Sequence, residues 1–195
     1  MPEPESHFDF PHDWSATVLA APPMIRPARQ YMFPQTIAGE EEAMSRGALL
    51  IDVRPTGGKN FLAICALGFE GTEPLNGVWS CPNPLELCAV AGGYAYILNT
   101  WNPKQCTHVD MRPVVEVIAT PEPQLLIFVG FHTICAWGAE GMAWHTPRLT
   151  WEGLRITGLT HATLTGMAWD MPRDAEVEFA VDLRTGAVTG GSAPG

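Results

Sequence analysis

A chain of 195 residues, 46% hydrophobic and 16% charged, is long enough for one domain and apolar enough for a sizeable core, which excludes intrinsic disorder. Its formal net charge of −10, with only 11 lysines and arginines and no basic run, excludes nucleic acid and anionic membrane as partners, because both are held largely by cationic side chains. With 19 glycines and 18 prolines, the chain reads as strands and turns rather than long helices.

Residues 1–40 form one compositional region. Prolines recur at positions 2, 4, 11, 22, 23, 27 and 34, interleaved with Phe8, Phe10, Trp14, Tyr31 and Phe33. A flexible linker would lack those aromatics. The segment is therefore expected to be an extended, proline-rich arm that lays aromatic anchors on the body, residues 41–195, or on a second copy in a homo-oligomer. The acidic, proline-broken start lacks the basic and apolar regions of a secretory signal. No apolar run approaches the roughly 20 residues that span a bilayer, so a soluble, cytoplasmic protein is expected. Around residues 39–47 the spacing predicts a short helix. Glu40, Glu41 and Glu42 make its solvated start, Arg46 lies near its end and Gly47 terminates it.

From residue 48 onward the pattern is β. Segments 48–53 and 60–69 flank a hairpin turn at Pro55, Thr56, Gly57 and Gly58. Segment 77–81 follows, then 85–99 folded about Gly92 and Gly93. A helix over 83–91, capped by Asn83 with Pro84 in its first turn, competes there. The strand character of Tyr94, Ala95, Tyr96, Ile97 and Leu98 favours the hairpin. Further strands are predicted at 113–119, 125–130, 133–137, 141–144, 154–159, 163–169 and 177–183. Short strands at this spacing indicate an antiparallel β-sandwich, a barrel or a small propeller-like arrangement of hairpins. Parallel α/β architecture is excluded, because its crossover helices have no room.

Two stretches repeat one pattern. In residues 124–151 two apolar runs lead to a glycine turn and a tryptophan, and residues 177–191 echo them. The run Ala180, Val181, Asp182, Leu183, Arg184, Thr185, Gly186 resembles the A-x-D-x-x-T-G turn of quinoprotein-type (PQQ-like) β-propeller repeats. In that family a tryptophan follows four residues after the glycine and packs between neighbouring sheets. Here that position is Gly190. A looser echo keeps Ala136, Gly141 and Trp144 but has Gly138 in place of the aspartate. Gly77, Val78 and Trp79 form a degenerate third. The resemblance implies a four-unit propeller, or a sandwich with propeller-like hairpins, and carries over no cofactor. It also implies a tight turn in which Asp182 accepts backbone hydrogen bonds and Gly186 adopts positive φ.

Residues with chemical potential are scattered. The five cysteines, Cys65, Cys81, Cys88, Cys106 and Cys135, include no CxxC pair and are expected to be reduced, although Cys81 and Cys88 could bridge in an oxidising setting. Cys106, His108 and Asp110 would share one face of an extended segment, but a nucleophilic site draws its base and oxyanion hole from distant segments, so a polar loop is the expected role. His7 and His12, with Asp9 and Asp13, and the trio His132, His145 and His161 lack the spacing of a metal motif. No metal is expected. No GxSxG, Walker or GxGxxG motif is present. Trp137, Trp144, Trp151 and Trp169 cluster with Arg148 and Arg155. Core packing accounts for part of this set. Trp137, Trp144, Trp169 and Arg148 are the candidate ligand-binding face for a protein or small molecule. The sequence thus reads as a non-enzymatic binding or protein-interaction module. The alternative is a small hydrolase-like β-sandwich enzyme with the three histidines at a pocket rim.

Overall fold

A computed structural model describes residues 4–25, 27–34, 42–68 and 75–192. Strands account for 54% of the described residues. The helical pieces among the described residues are two short 3-10 turns, Ala43–Arg46 and Met171–Arg173. The mainly β expectation therefore holds, and among the described residues no sheet closes into a barrel. The chain divides into two compact units, residues 1–113 and 114–195.

Among its described residues the first unit holds nine strands: β1 (Glu5–His7), β2 (Trp14–Leu19), β3 (Gln30–Phe33), β4 (Ala48–Pro55), β5 (Phe61–Ala66), β6 (Gly77–Ser80), β7 (Glu86–Ala91), β8 (Tyr94–Asn99) and β9 (Cys106–His108). One sheet has the order β2-β4-β5-β3, with β3 parallel to β5. The other is the meander β6-β7-β8-β9, extended by β1 running parallel to β6. Alternation along β4 turns Leu49, Ile51 and Val53 inward, where they meet Phe61, Ala63 and Cys65 of β5. Leu87, Ala89, Tyr94, Tyr96 and Leu98 pack against them from the meander. The opposite face of β7 and β8 is also buried, at Cys88, Val90, Ala95 and Ile97. That two-sided burial explains why both strands read as unbroken apolar runs.

The proline-rich segment supplies β1, β2 and β3 to these sheets. Phe10, Trp14 and Phe33 are buried, Tyr31 is half-buried and Phe8 is exposed. The Trp14 indole donates to the Glu86 carbonyl at 3.1 Å, and the Phe10 amide donates to Ser80 Oγ at 2.9 Å. The short helix predicted over 39–47 is a 3-10 turn over Ala43–Arg46. Gly47 ends it at φ +93°, and its start at Glu40 and Glu41 lies outside the described residues. At 83–91 the hairpin forms, not the helix. Asn83 Oδ1 accepts the Leu85 amide in a local turn, and β7 begins at Glu86.

The second unit holds two four-stranded antiparallel meanders. The first comprises β10 (Val114–Thr120), β11 (Leu125–Gly130), β12 (Ile134–Gly138) and β13 (Gly141–His145). The second comprises β14 (Leu154–Leu159), β15 (Thr163–Asp170), β16 (Ala175–Asp182) and β17 (Val188–Gly190). Their shared core sets Leu125, Ile127, Val129, Ile134, Ala136 and Trp144 against Leu164, Ala168, Phe179, Val181 and Leu183.

The β16–β17 turn is the expected one. Asp182 Oδ1 accepts the amides of Arg184 at 3.0 Å and Thr185 at 2.8 Å, and the Thr185 hydroxyl at 2.8 Å. Gly186 has φ +71° and donates its amide to the Asp182 carbonyl at 2.8 Å. A Cβ on Gly186 would lie 2.8 Å from Cβ and Cγ of Trp144, so the bare glycine is the seat on which that tryptophan rests. Gly186→Ala therefore meets a positive φ and a packed ring at once. It should lower unfolding free energy by about 2 kcal/mol or more, measured by denaturant titration. An unchanged midpoint contradicts this geometry.

Candidate functional site

The four tryptophan-face residues divide among different surroundings. Trp144 is buried in the second unit's core. Its indole donates to the Leu183 carbonyl at 2.8 Å, and Ala136 pairs opposite it on β12. Trp137 is also buried, but one residue on from Ala136 it faces the other side of the sheet, where it packs over Gly141. Neither ring is offered to solvent.

Arg148 is exposed but occupied, in the linker between β13 and β14. Its guanidinium donates to the Thr150 carbonyl at 2.9 Å and the Trp151 carbonyl at 2.8 Å, and lies 3.4 Å from His132 Nδ1. It staples the linker that joins the two meanders. Thr150, fully buried within that linker, exchanges hydrogen bonds with the Trp169 backbone: its hydroxyl donates to the carbonyl at 3.0 Å and accepts the amide at 2.8 Å. The linker thus ties Arg148 to Trp169.

Trp169 itself is half-buried on the face of β15 that points away from the core. Alternation sends Leu164 and Ala168 inward and Thr163, Thr165, Met167 and Trp169 outward. On β16 the outward set is Glu176, Glu178, Ala180 and Asp182. Cross-strand register aligns Trp169 with Glu176, Met167 with Glu178 and Thr165 with Ala180, and β17 sets Thr189 beside Ala180. Small Ala180 between two threonines leaves an open groove of about 430 Å³. Thr157, Thr165, Glu178, Ala180 and Thr189 are among the residues that line it. Along the same face Glu176 is paired with Arg155 at 2.8 Å. Sequence reasoning missed every groove residue except by proximity to Trp169, because the groove exists only once four strands are in register.

The nucleophile candidates are placed quite differently. Cys106 begins β9 and lines the first unit's core, and burial pushes its thiol up to about 12. A thiol at that value is protonated at neutral pH and is a poor nucleophile. His108 lies between the rings of Tyr94 and Tyr96, with centroids 5.1 and 5.0 Å away, while the Asp110 side chain points into solvent. The geometry of a nucleophile, base and orienting acid is not assembled. All five cysteines are free thiols. His132 sits in the β11–β12 turn beside Arg148, His145 ends β13 and His161 lies exposed in the β14–β15 turn. Among the described residues no group of three or more histidine, cysteine or carboxylate side chains is arranged to hold a metal. No helix of the described residues is long and apolar enough to cross a membrane. Compared with known protein families and with curated proteins, the chain matches none.

Two outcomes check this geometry. At pH 8 the Cys106 thiolate fraction should fall at least ~10²-fold below that of a free cysteine. Iodoacetamide labelling followed by peptide mass spectrometry should therefore find Cys106 unreacted under conditions that saturate free cysteine, and rapid labelling contradicts its seclusion. The second concerns Asp182. The Thr185 hydroxyl, then the Thr185 and Arg184 amides, hold its carboxyl below the ordinary range. As pH falls, the unfolded carboxyl is protonated first. The stabilisation is complete above the unfolded value of about 3.9 and fades as pH drops through the folded value. The gap in thermal midpoint between wild type and Asp182→Ala should therefore narrow from pH 6 to pH 2.5. A constant gap contradicts the charge-assisted turn.

Proposed function

We propose that this chain is a non-enzymatic binding module of the quinoprotein-type propeller-repeat kind, working without a quinone. Its working surface is the outer face of the β14–β17 sheet. One observation carries the reading. The inward side of that sheet is consumed by the core, while the outward side presents Trp169, Met167 and a groove of hydroxyls and a carboxylate on a hydrogen-bonded, rigid ladder. A ligand that docks there meets a backbone already ordered by the sheet, which lowers the entropic cost of association.

The repeat reading draws support from the Trp144 seat. A tryptophan from one meander rests on the glycine of the next meander's Asp–Gly turn, the packing role expected of the repeat tryptophan. Gly190 stands where the last meander would carry its own, and its absent side chain keeps β17 close to the Glu178 carbonyl. The excess of carboxylates over basic side chains favours partners that are cationic or rich in hydrogen-bond donors.

A displayed random-peptide selection tests the surface directly. Immobilised wild-type protein should enrich a sequence family that the groove-filling variant Thr165→Arg/Ala180→Arg no longer retains, with the variant's circular dichroism unchanged. Peptides that bind both proteins equally well contradict the assignment of this face.

A further inference from the structure

We infer that the groove on the outer face of the β14–β17 sheet is a recognition site for a lysine or arginine side chain carried on an extended segment of a partner protein. The inference rests on the reading of this face as the working surface and names the chemistry that it selects.

The geometry is a notch. Gly158, Thr165, Ala180 and Thr189 form one cross-strand row. Neighbouring strands lie about 4.8 Å apart, so the two threonines stand on either side of a single methyl group, leaving a slot one side chain wide. Glu178 projects two residues along β16 on the same face, roughly 7 Å from Ala180 along the strand. Thr157, carried at the β14 bulge, closes the far side.

The chemistry of the slot is acceptor-rich. Its hydroxyls can all accept, and its one carboxylate carries full charge. The two outward carboxylates of mid-β16 differ: Glu176 is neutralised by Arg155 at 2.8 Å, whereas Glu178 makes no ion pair or side-chain hydrogen bond among the described residues. Among the described residues that line the groove none is a lysine or arginine. A formal charge of −10 over the whole chain adds a long-range field of the same sign. An anionic or purely apolar occupant would leave Glu178 opposed or unmet. An ammonium or guanidinium head on an aliphatic stem satisfies both the carboxylate and the hydroxyls, while its methylenes lie along Ala180. The groove lies across the open outer face of paired strands, a surface that an extended backbone can follow.

The test uses the full chain, isotope-labelled, in nuclear magnetic resonance titrations. The probes are acetyl-Thr-Lys-Thr-amide, the same peptide with norleucine for lysine, and spermidine. The lysine peptide should shift the amides of Thr165, Glu178, Ala180 and Thr189 in a saturable way, with affinity on the order of millimolar. Glu178→Gln should weaken it by about fivefold, the upper end of what an exposed ion pair contributes. Ala180→Leu, which fills the notch and keeps the carboxylate, should abolish it. Equal binding of the norleucine peptide, or no effect of Glu178→Gln, overturns the cation assignment while leaving the face as a binding surface. Tighter binding of spermidine than of the peptide overturns the side-chain source. Shifts confined to other parts of the protein, or none with any probe, overturn both the inference and the reading on which it rests.

Discussion

The indole of Trp144 occupies the space that a side chain on Gly186 would fill, and the second unit is organised around that contact. The β12–β13 hairpin delivers the ring, with small Ala136 opposite it. The Asp182 turn receives it, offering a bare Cα at positive φ and the Leu183 carbonyl as acceptor. Burying an indole removes about 150–250 Å² from water, or about 4–6 kcal/mol at 25 cal/mol/Å². A net hydrogen bond adds about 1 kcal/mol. The exposed carboxylate bonds that shape the turn are smaller terms. They act by fixing where the glycine lies, and the ring then supplies most of the stabilisation.

Local chemistry was legible in the sequence wherever its partners lie a few residues apart. Asp182, Thr185 and Gly186 complete their turn within five positions, so residue type alone announces it. Gly92 and Gly93 likewise mark the β7–β8 hairpin. Pairings that depend on remote partners were not legible. Nothing in residues 5–7 or 30–33 specifies that β1 adds parallel to β6 or β3 parallel to β5, since those choices are made by the shape of the completed sheets. The tryptophans show the same limit. Trp137 and Trp144 look alike in sequence, yet strand parity and a register shift after Ala136 turn them to opposite faces. Arg148 reads as a free cation until the carbonyls of Thr150 and Trp151 are seen to hold it.

The distribution of chemistry follows from how each face is used. In the first unit the thiols of Cys65, Cys81 and Cys88 are fully buried. Burial holds Cys65 and Cys81 well above the ordinary thiol range. They behave as small core hydrophobes. Polar residues that are buried in the second unit, such as Thr146 and Thr150, complete the backbone ladders of β12 and β15 through their hydroxyls. The outer face of the last sheet is spared from the core: there the Thr165 hydroxyl donates to the Gly158 carbonyl at 3.4 Å, Glu176 pairs with Arg155, and Glu178 is exposed. A packed inner face behind an exposed outer face is the arrangement that the proposed binding role requires.

Native-state hydrogen exchange tests most directly whether the Trp144 seat couples the two meanders. In Trp144→Leu, the amides of Ile134–Gly138 and of Ala175–Asp182 should lose protection together and by a similar free energy, because the ring is part of the core that both sheets share. Loss confined to the turn at residues 183–187, with β12 and β16 as protected as in the wild type, would contradict the account.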